Sequence, residues 1–278
     1  MKSRLLATAV LSTVIALSSC TRDGAGKSDN STINSFEVRE SIKSAAKSYK
    51  VAEDGINSYL TLSCSVQWPE QLGDNNIKAL QDSIISYMFG ESRKPTIDES
   101  ITAFIDDTEQ FSPTAKATPV DSVENDNPDM FNCWIDASAR ILELNEQSVT
   151  YEISNAGYAG GAHPNSSSHP FTYDLTAGKV LTAENMFKQG AKTSVLGIVA
   201  QALAEQLNTT PDRLTDAGLF APLSSIGQPF ILNNAVVFRY NPYEIAPYSM
   251  GTIDVTVYPY QLDEYLTPDA RRLLDDEN

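Results

Sequence analysis

Cysteine, histidine and positive charge are all scarce in this 278-residue chain, and each shortage removes a class of function. There are three cysteines and no Cys-x-x-Cys pair, so a zinc site is not expected. The two histidines, His163 and His169, sit six apart and match no zinc signature. No Gly-x-Ser-x-Gly segment occurs, so a hydrolase built on a nucleophile elbow is not expected. Twenty Lys and Arg face 36 Asp and Glu, for a formal charge of −16. Such a surface repels nucleic acid and anionic headgroups, whose binding rests on bases that neutralise phosphates. It suits a basic partner, although solubility alone would use the same charge. No apolar run reaches the roughly 20 residues that a transmembrane helix needs. Internal repeats at solenoid periods are also lacking.

What is present begins at the N-terminus. Lys2 and Arg4 precede an unbroken run of apolar, Ala, Ser and Thr residues over positions 5–17, which ends in Leu17-Ser18-Ser19-Cys20. Charge, apolar run, small residues and cysteine stand in the register of a bacterial lipoprotein signal. Residues 1–19 are therefore expected to be a cleaved signal peptide. The Cys20 thiol would carry diacylglycerol and its freed amine a further acyl chain, a palmitate-type anchor of effectively permanent strength. Loss of Lys2 and Arg4 makes the mature chain still more acidic. Residues 20–34, polar and rich in Gly, Ser and Asn, read as a lipidated tether. Thr21, in place of the Asp that signals inner-membrane retention, points to the outer membrane, with the periplasmic or outer face left open.

Without residues 1–19 the 278-residue chain keeps 259 (278 − 19), enough for one large or two small folded units, and its hydrophobic content of 41% is ordinary for a globular protein. Residues 36–68 are extended, most clearly from Tyr59 to Trp68, and Pro69 is expected to end that strand. Ile77, Leu80, Ile84, Ile85 and Met88 predict an amphipathic helix over 75–89, and Ile101, Phe104 and Ile105 a second over 97–107. Residues 112–129 read as a long connection. Its acids Asp121, Glu124, Asp126 and Asp129 lack EF-hand spacing and are expected to be solvated. Strands are expected over 130–144, 148–154, 170–175, 235–240 and 251–258, with a strong helix over 193–207. The order is not a regular βαβ alternation, so the fold class is α+β, a mainly antiparallel sheet packed against a few helices. The organisation expected is 35–155 as an N-terminal part and 156–278 as a C-terminal domain. Cys64 and Cys133 each share the apolar side of a strand, so they are either a disulfide pair or two buried thiols.

Two segments stand out. Tyr158-Ala159-Gly160-Gly161-Ala162-His163-Pro164 contains a turn that needs positive φ, and Asp174-Leu175-Thr176-Ala177-Gly178-Lys179 follows it as a tight turn between short strands. Thr182 is placed to cap a helical turn. The second segment runs Pro242-Tyr243-Glu244-Ile245-Ala246-Pro247-Tyr248-Ser249-Met250-Gly251. Together, in this order, they resemble the PdaC/RsiV-like superfamily, an extracytoplasmic domain of unknown general function shared by a lysozyme-sensing anti-sigma factor and a polysaccharide deacetylase. The resemblance covers roughly residues 158–265. The sensor's membrane-spanning helix and the deacetylase's metal-binding catalytic domain have no counterpart here.

The resemblance implies the extracytoplasmic module alone, a non-enzymatic binding or sensing unit without cofactor. Its partner would be a protein, with a lysozyme-like basic protein as one candidate, or a cell-wall glycan such as peptidoglycan. Candidate ligand-binding residues are Tyr158, His163, His169, Tyr243 and Tyr248. The alternative is an enzyme acting on envelope polysaccharide, with a site near His163 and Asp174, where His163, His169 and Asp174 could hold a metal. The plainer expectation has His163 bracing the Gly-Gly turn and His169 lying in a loop. Tyr240, Tyr258 and Tyr260 complete a tyrosine-rich quarter that suits either ligand contact or packing.

Overall fold

The computed structural model describes residues 12–16, 36–53, 56–123 and 131–274. Cys20, the tether and the acids Glu124, Asp126 and Asp129 lie outside the described residues. A short strand, β1 (Ser12–Ala16), falls inside the expected leader and pairs with the Glu37–Ser41 end of the next strand. Two 17-residue strands, β2 (Glu37–Glu53) and β3 (Ile56–Leu72), then form a long antiparallel hairpin. Pro69 does not end β3 as expected. It pairs with Glu40, and the missing N–H is accommodated because the register shifts by one residue between Arg39 and Glu40. Its carbonyl accepts from Gln81 Nε2 at 2.9 Å.

Helices α1 (Lys78–Phe89) and α2 (Ile97–Asp106) follow. Leu80, Ile84, Ile85 and Met88 are buried in α1, as their spacing requires. Each contributes on the order of 1.5–3 kcal/mol through the apolar area it removes from water. Thr96 and Glu99 close a reciprocal capping box at the start of α2. The expected connection over 112–129 contains a further strand, β4 (Lys116–Val120), which pairs with β2. Pro119 is tolerated there because β4 pairs on one side only.

Next come β5 (Phe131–Leu144), β6 (Ser148–Tyr158), β7 (Asn165–Asp174) and β8 (Lys179–Leu181). The main sheet has the order β1-β2-β3-β5-β6-β7-β8, with β4 off this path beside β2. Every pairing in it is antiparallel except β3 with β5. That parallel pair is possible because α1, α2 and β4 supply the long crossover between the two strands.

The rest of the chain builds a second layer. It comprises α3 (Ala183–Met186), α4 (Lys192–Gln206), β9 (Gln228–Leu232), β10 (Ala235–Tyr240), β11 (Ile253–Val257), α5 (Pro259–Leu262) and α6 (Pro268–Arg272). The three strands form an antiparallel sheet ordered β11-β10-β9. The fold is thus α+β, a large mainly antiparallel sheet with a smaller second sheet and a few helices. Two principal cores separate at about residue 180: the first ends at Leu175 and Val180, the second begins at Leu181. The expected division at 155/156 instead falls inside β6.

The sheet layers meet on a polar face. In β6, Val149, Tyr151 and Ile153 belong to the core beneath α1 and α2, while Thr150 and Glu152 point the other way and are buried too. Ile231 N–H donates to Thr172 Oγ1, and Thr150 Oγ1 donates to the Ile231 carbonyl, both at 2.8 Å. The two hydroxyls are themselves 2.8 Å apart. Because the Thr150 proton goes to Ile231, the proton between them comes from Thr172, and the ring of donors closes. It satisfies both backbone groups of Ile231 on the side of β9 away from β10. Nearby, Arg239 bridges Glu152 and Asp254, and Arg272 of α6 pairs with fully buried Asp174 at 2.5 Å.

Candidate binding site

β6 ends at Tyr158 and β7 begins at Asn165, so the Gly-Gly segment is the connection between two hydrogen-bonded strands. Gly160 and Gly161 have φ of 91° and 105°, values that side chains rarely tolerate. A Cβ at either would meet no atom within 4 Å, so the glycines serve backbone conformation and not space. The Tyr158 hydroxyl donates to the Gly161 carbonyl at 2.9 Å and holds the turn.

The second segment is brought to this turn by Asn241. Its Oδ1 accepts from the Ser168 N–H at 2.7 Å and its Nδ2 donates to the Ser168 carbonyl at 3.0 Å. One side-chain amide thereby pairs with β7 as a neighbouring strand would. Arg239 Nη1 also donates to Ser168 Oγ at 2.9 Å. Asn241, Pro242, Tyr243 and Glu244 then form a turn, in which Glu244 Oε2 accepts from the Asn241 N–H at 2.9 Å. Tyr243 has φ of 68°, uncommon for any residue with a side chain and a true outlier for a bulky one. The residue is 54% exposed, so burial does not repay that strain.

His163, Tyr243 and Tyr248 meet here. The rings of His163 and Tyr248 are 3.8 Å apart and 13° from parallel. Tyr243 lies 5.8 Å from Tyr248, centre to centre. His163 Nδ1 is 2.8 Å from the Pro164 carbonyl, which can only accept, so in the neutral ring Nδ1 carries the proton. Nε2 then accepts from the Tyr243 hydroxyl at 3.2 Å. The result is a fixed, partly exposed surface of three rings.

Tyr158, His163, Tyr243 and Tyr248 are thus gathered in one place, and His169 is not. His169 lies within β7, paired with Ile153, and not in a loop. Its ring is 4.4 Å from that of Tyr87 on α1. Burial lowers its pKa, and Nε2 has no hydrogen-bond partner among the described residues. Asp174 lies five residues further along the same strand, on the opposite face, because strand side chains alternate. Its oxygens are taken by Arg272 and the Ala177 N–H. The geometry therefore does not bring His163, His169 and Asp174 together as metal ligands, and no group of three metal-binding side chains occurs among the described residues. Bracing of the Gly-Gly turn falls to Tyr158, while His163 bonds Pro164 and Tyr243.

Cys64 and Cys133 are both buried free thiols. In the β3–β5 register Cys133 faces Leu60 and Cys64 faces Ala137, an offset of four residues. At about 3.3 Å per residue the separation is well beyond disulfide reach. Burial pushes the Cys64 thiol up to about 12. The role of Asn241 was the part hidden in the sequence, although an Asn-Pro pair does signal a turn. No helix among the described residues is long and apolar enough to cross a membrane.

Fold and site define a two-sheet α+β protein with an exposed aromatic cluster on the strand ends of its main sheet. Residues 184–260 match the family described as "Protein of unknown function (DUF3298)", the domain of PdaC/RsiV-like proteins, and the match falls inside the stretch that carries the resemblance. A DUF3298-family crystal structure from Bacteroides fragilis aligns with a TM-score of 0.59 at 17% identity, covering 83% of this chain and 94% of that one. A DUF3298-family protein from Pseudomonas aeruginosa aligns with a TM-score of 0.52 at 16% identity, over 82% and 95%. At these identities the likeness is one of fold. No curated protein matches the sequence.

Proposed function

We propose that the mature protein is a lipid-anchored, non-enzymatic binding module of the cell envelope, and that it recognises a basic, lysozyme-like protein through His163, Tyr243 and Tyr248. One observation carries this reading. Tyr243 is held at a strained positive φ, exposed, and tied to His163 beside Tyr248. Strain that no burial compensates is most often kept at functional positions. Tyrosine offers contact area at low entropic cost, and its hydroxyl adds a polar handle. The acidic balance, larger still once Lys2 and Arg4 leave with the leader, supports a basic partner by steering it through long-range attraction.

The anchor rests on the lipoprotein-type signal that ends at Cys20, with the outer membrane as the expected location. A Cys20→Ala chain should incorporate no labelled palmitate, and continued incorporation would remove the anchor from the account. For the ligand, immobilised mature protein should retain lysozyme at low salt and release it as salt rises, because exposed charge pairs are screened beyond about 8–10 Å. Absence of retention at low salt overturns the lysozyme-like assignment.

A further inference from the structure

We propose that the groove between α4 and the β11–α5 corner is a second ligand site, for a neutral saccharide. It shares no lining residue with the His163 cluster and does not depend on it. The cavity has a volume of about 490 Å³. That falls within the range of small-molecule sites, about 300–1,000 Å³. Glu205 and Gln206 line it from the end of α4, Thr256 from β11, and Tyr258, Tyr260 and Gln261 from the α5 corner.

The local sequence explains why the two tyrosines stand in solvent. Strand β11 alternates Ile253, Val255 and Val257 inward, so Thr256 and Tyr258 point out. Pro259 starts α5, and Gln261 Oε1 accepts from the Tyr258 N–H at 3.0 Å, which fixes the corner. Tyr258 and Tyr260 are 53% and 76% exposed, and their rings are 6.2 Å apart and 8° from parallel. Isolated exposed aromatics need no explanation, but a parallel pair beside a concave polar wall is a different arrangement.

The chemistry of the wall selects the ligand. No Lys or Arg lines the groove, so nothing there meets an anion. Both Asp254 oxygens accept from Arg239, its cross-strand partner on β10, at 2.7 and 2.6 Å, which offsets that charge. Glu205 is left as the one carboxylate without a basic partner in the wall, and it accepts from Gln201 at 2.8 Å. A cationic peptide would find little more than that single charge. A saccharide finds amides and a hydroxyl that both donate and accept, as sugar hydroxyls do, and aromatic faces for its C–H surface.

The full chain can be titrated with three probes: an N-acetylglucosamine tetramer, maltotetraose and tetralysine. At least one saccharide should bind with Kd on the order of 0.1–1 mM, and Tyr260→Ala or Tyr258→Ala should weaken it about tenfold or more. Tyr260→Phe should keep the binding, and so should Tyr243→Ala, which lies in the other site. Because Tyr260 is so exposed, its variants should unfold at the same denaturant midpoint as the parent. The proposal is overturned if neither saccharide binds up to about 10 mM. It is equally overturned if tetralysine alone binds, or if saccharide binding follows Tyr243→Ala and ignores Tyr260→Ala.

Discussion

The hydroxyl of Tyr243 donates to Nε2 of His163 across 3.2 Å, and this bond joins a loop after β10 to the Gly-Gly turn between β6 and β7. The two residues are 80 apart in sequence, and the contact places two of the chain's most distinctive segments in one surface. Asn241 makes the join possible by pairing with the Ser168 backbone on β7.

Tyr243→Gly should raise stability while removing the ring. A bulky residue at positive φ costs about 1–3 kcal/mol, and Gly adopts that conformation freely. Part of the gain is offset by the greater freedom of Gly in the unfolded chain, leaving a net increase of about 1 kcal/mol or less. Denaturant unfolding measures it. A clear fall in stability would mean that Tyr243 packs as a structural residue.

Thr172→Val should cost about 1–3 kcal/mol, because it keeps the shape but leaves the buried Ile231 N–H and Thr150 hydroxyl short of a partner. Thr150→Val breaks the same ring at the Ile231 carbonyl. In a double-mutant cycle the two losses should be less than additive. Full additivity would show that the hydroxyls act independently.

His169 should make the fold sensitive to mild acid. Burial lowers its folded pKa below the ordinary 6.5, so the unfolded chain takes up the proton first. Its contribution is present above about pH 6.5 and is lost as pH falls toward the lower folded value. His169→Phe, which preserves a ring against Tyr87, should remove that part of the pH dependence. Unfolding midpoints of parent and variant from pH 7.5 to 5 decide it (a range set around the ordinary value of about 6.5). Parallel curves would contradict the assignment.

Cys64 and Cys133 should react with a thiol reagent in a Cys20→Ser chain only after unfolding, and to the same extent with or without reductant. Burial and the raised Cys64 pKa suppress the thiolate in the folded state. Loss of both thiols in the absence of reductant would show that the residues form a disulfide after all.

Much of the framework is legible in the sequence because it follows local periodicity. Ile77, Leu80 and Ile84 mark α1, and Val195, Ile198, Val199 and Leu203 mark α4, by mixed spacings of three and four that one face of a strand does not satisfy. The alternation Val149, Tyr151, Ile153 marks β6 equally well. It does not reveal that Thr150 and Glu152 on the other face are also buried, since that depends on partners 81 and 87 residues away. The Ser166–Ser168 run reads as a loop because its residues are small and polar. It is a strand because β6 supplies its ladder and Asn241 occupies its other edge. For the same reason the site residues Tyr158, His163, Tyr243 and Tyr248 are recognisable as distinctive, while only the tertiary fold shows which of them touch and leaves His169 out.

On the proposed reading His163, Tyr243 and Tyr248 form a protein-binding surface. The direct measurement is the affinity of the mature protein for lysozyme at low salt, compared with its Tyr243→Ala and His163→Ala variants. Each substitution should weaken binding by about 2 kcal/mol or more, as buried aromatic anchors do, with unfolding midpoints close to the parent's. Binding by both variants at the parent's affinity would return the cluster to a purely structural role.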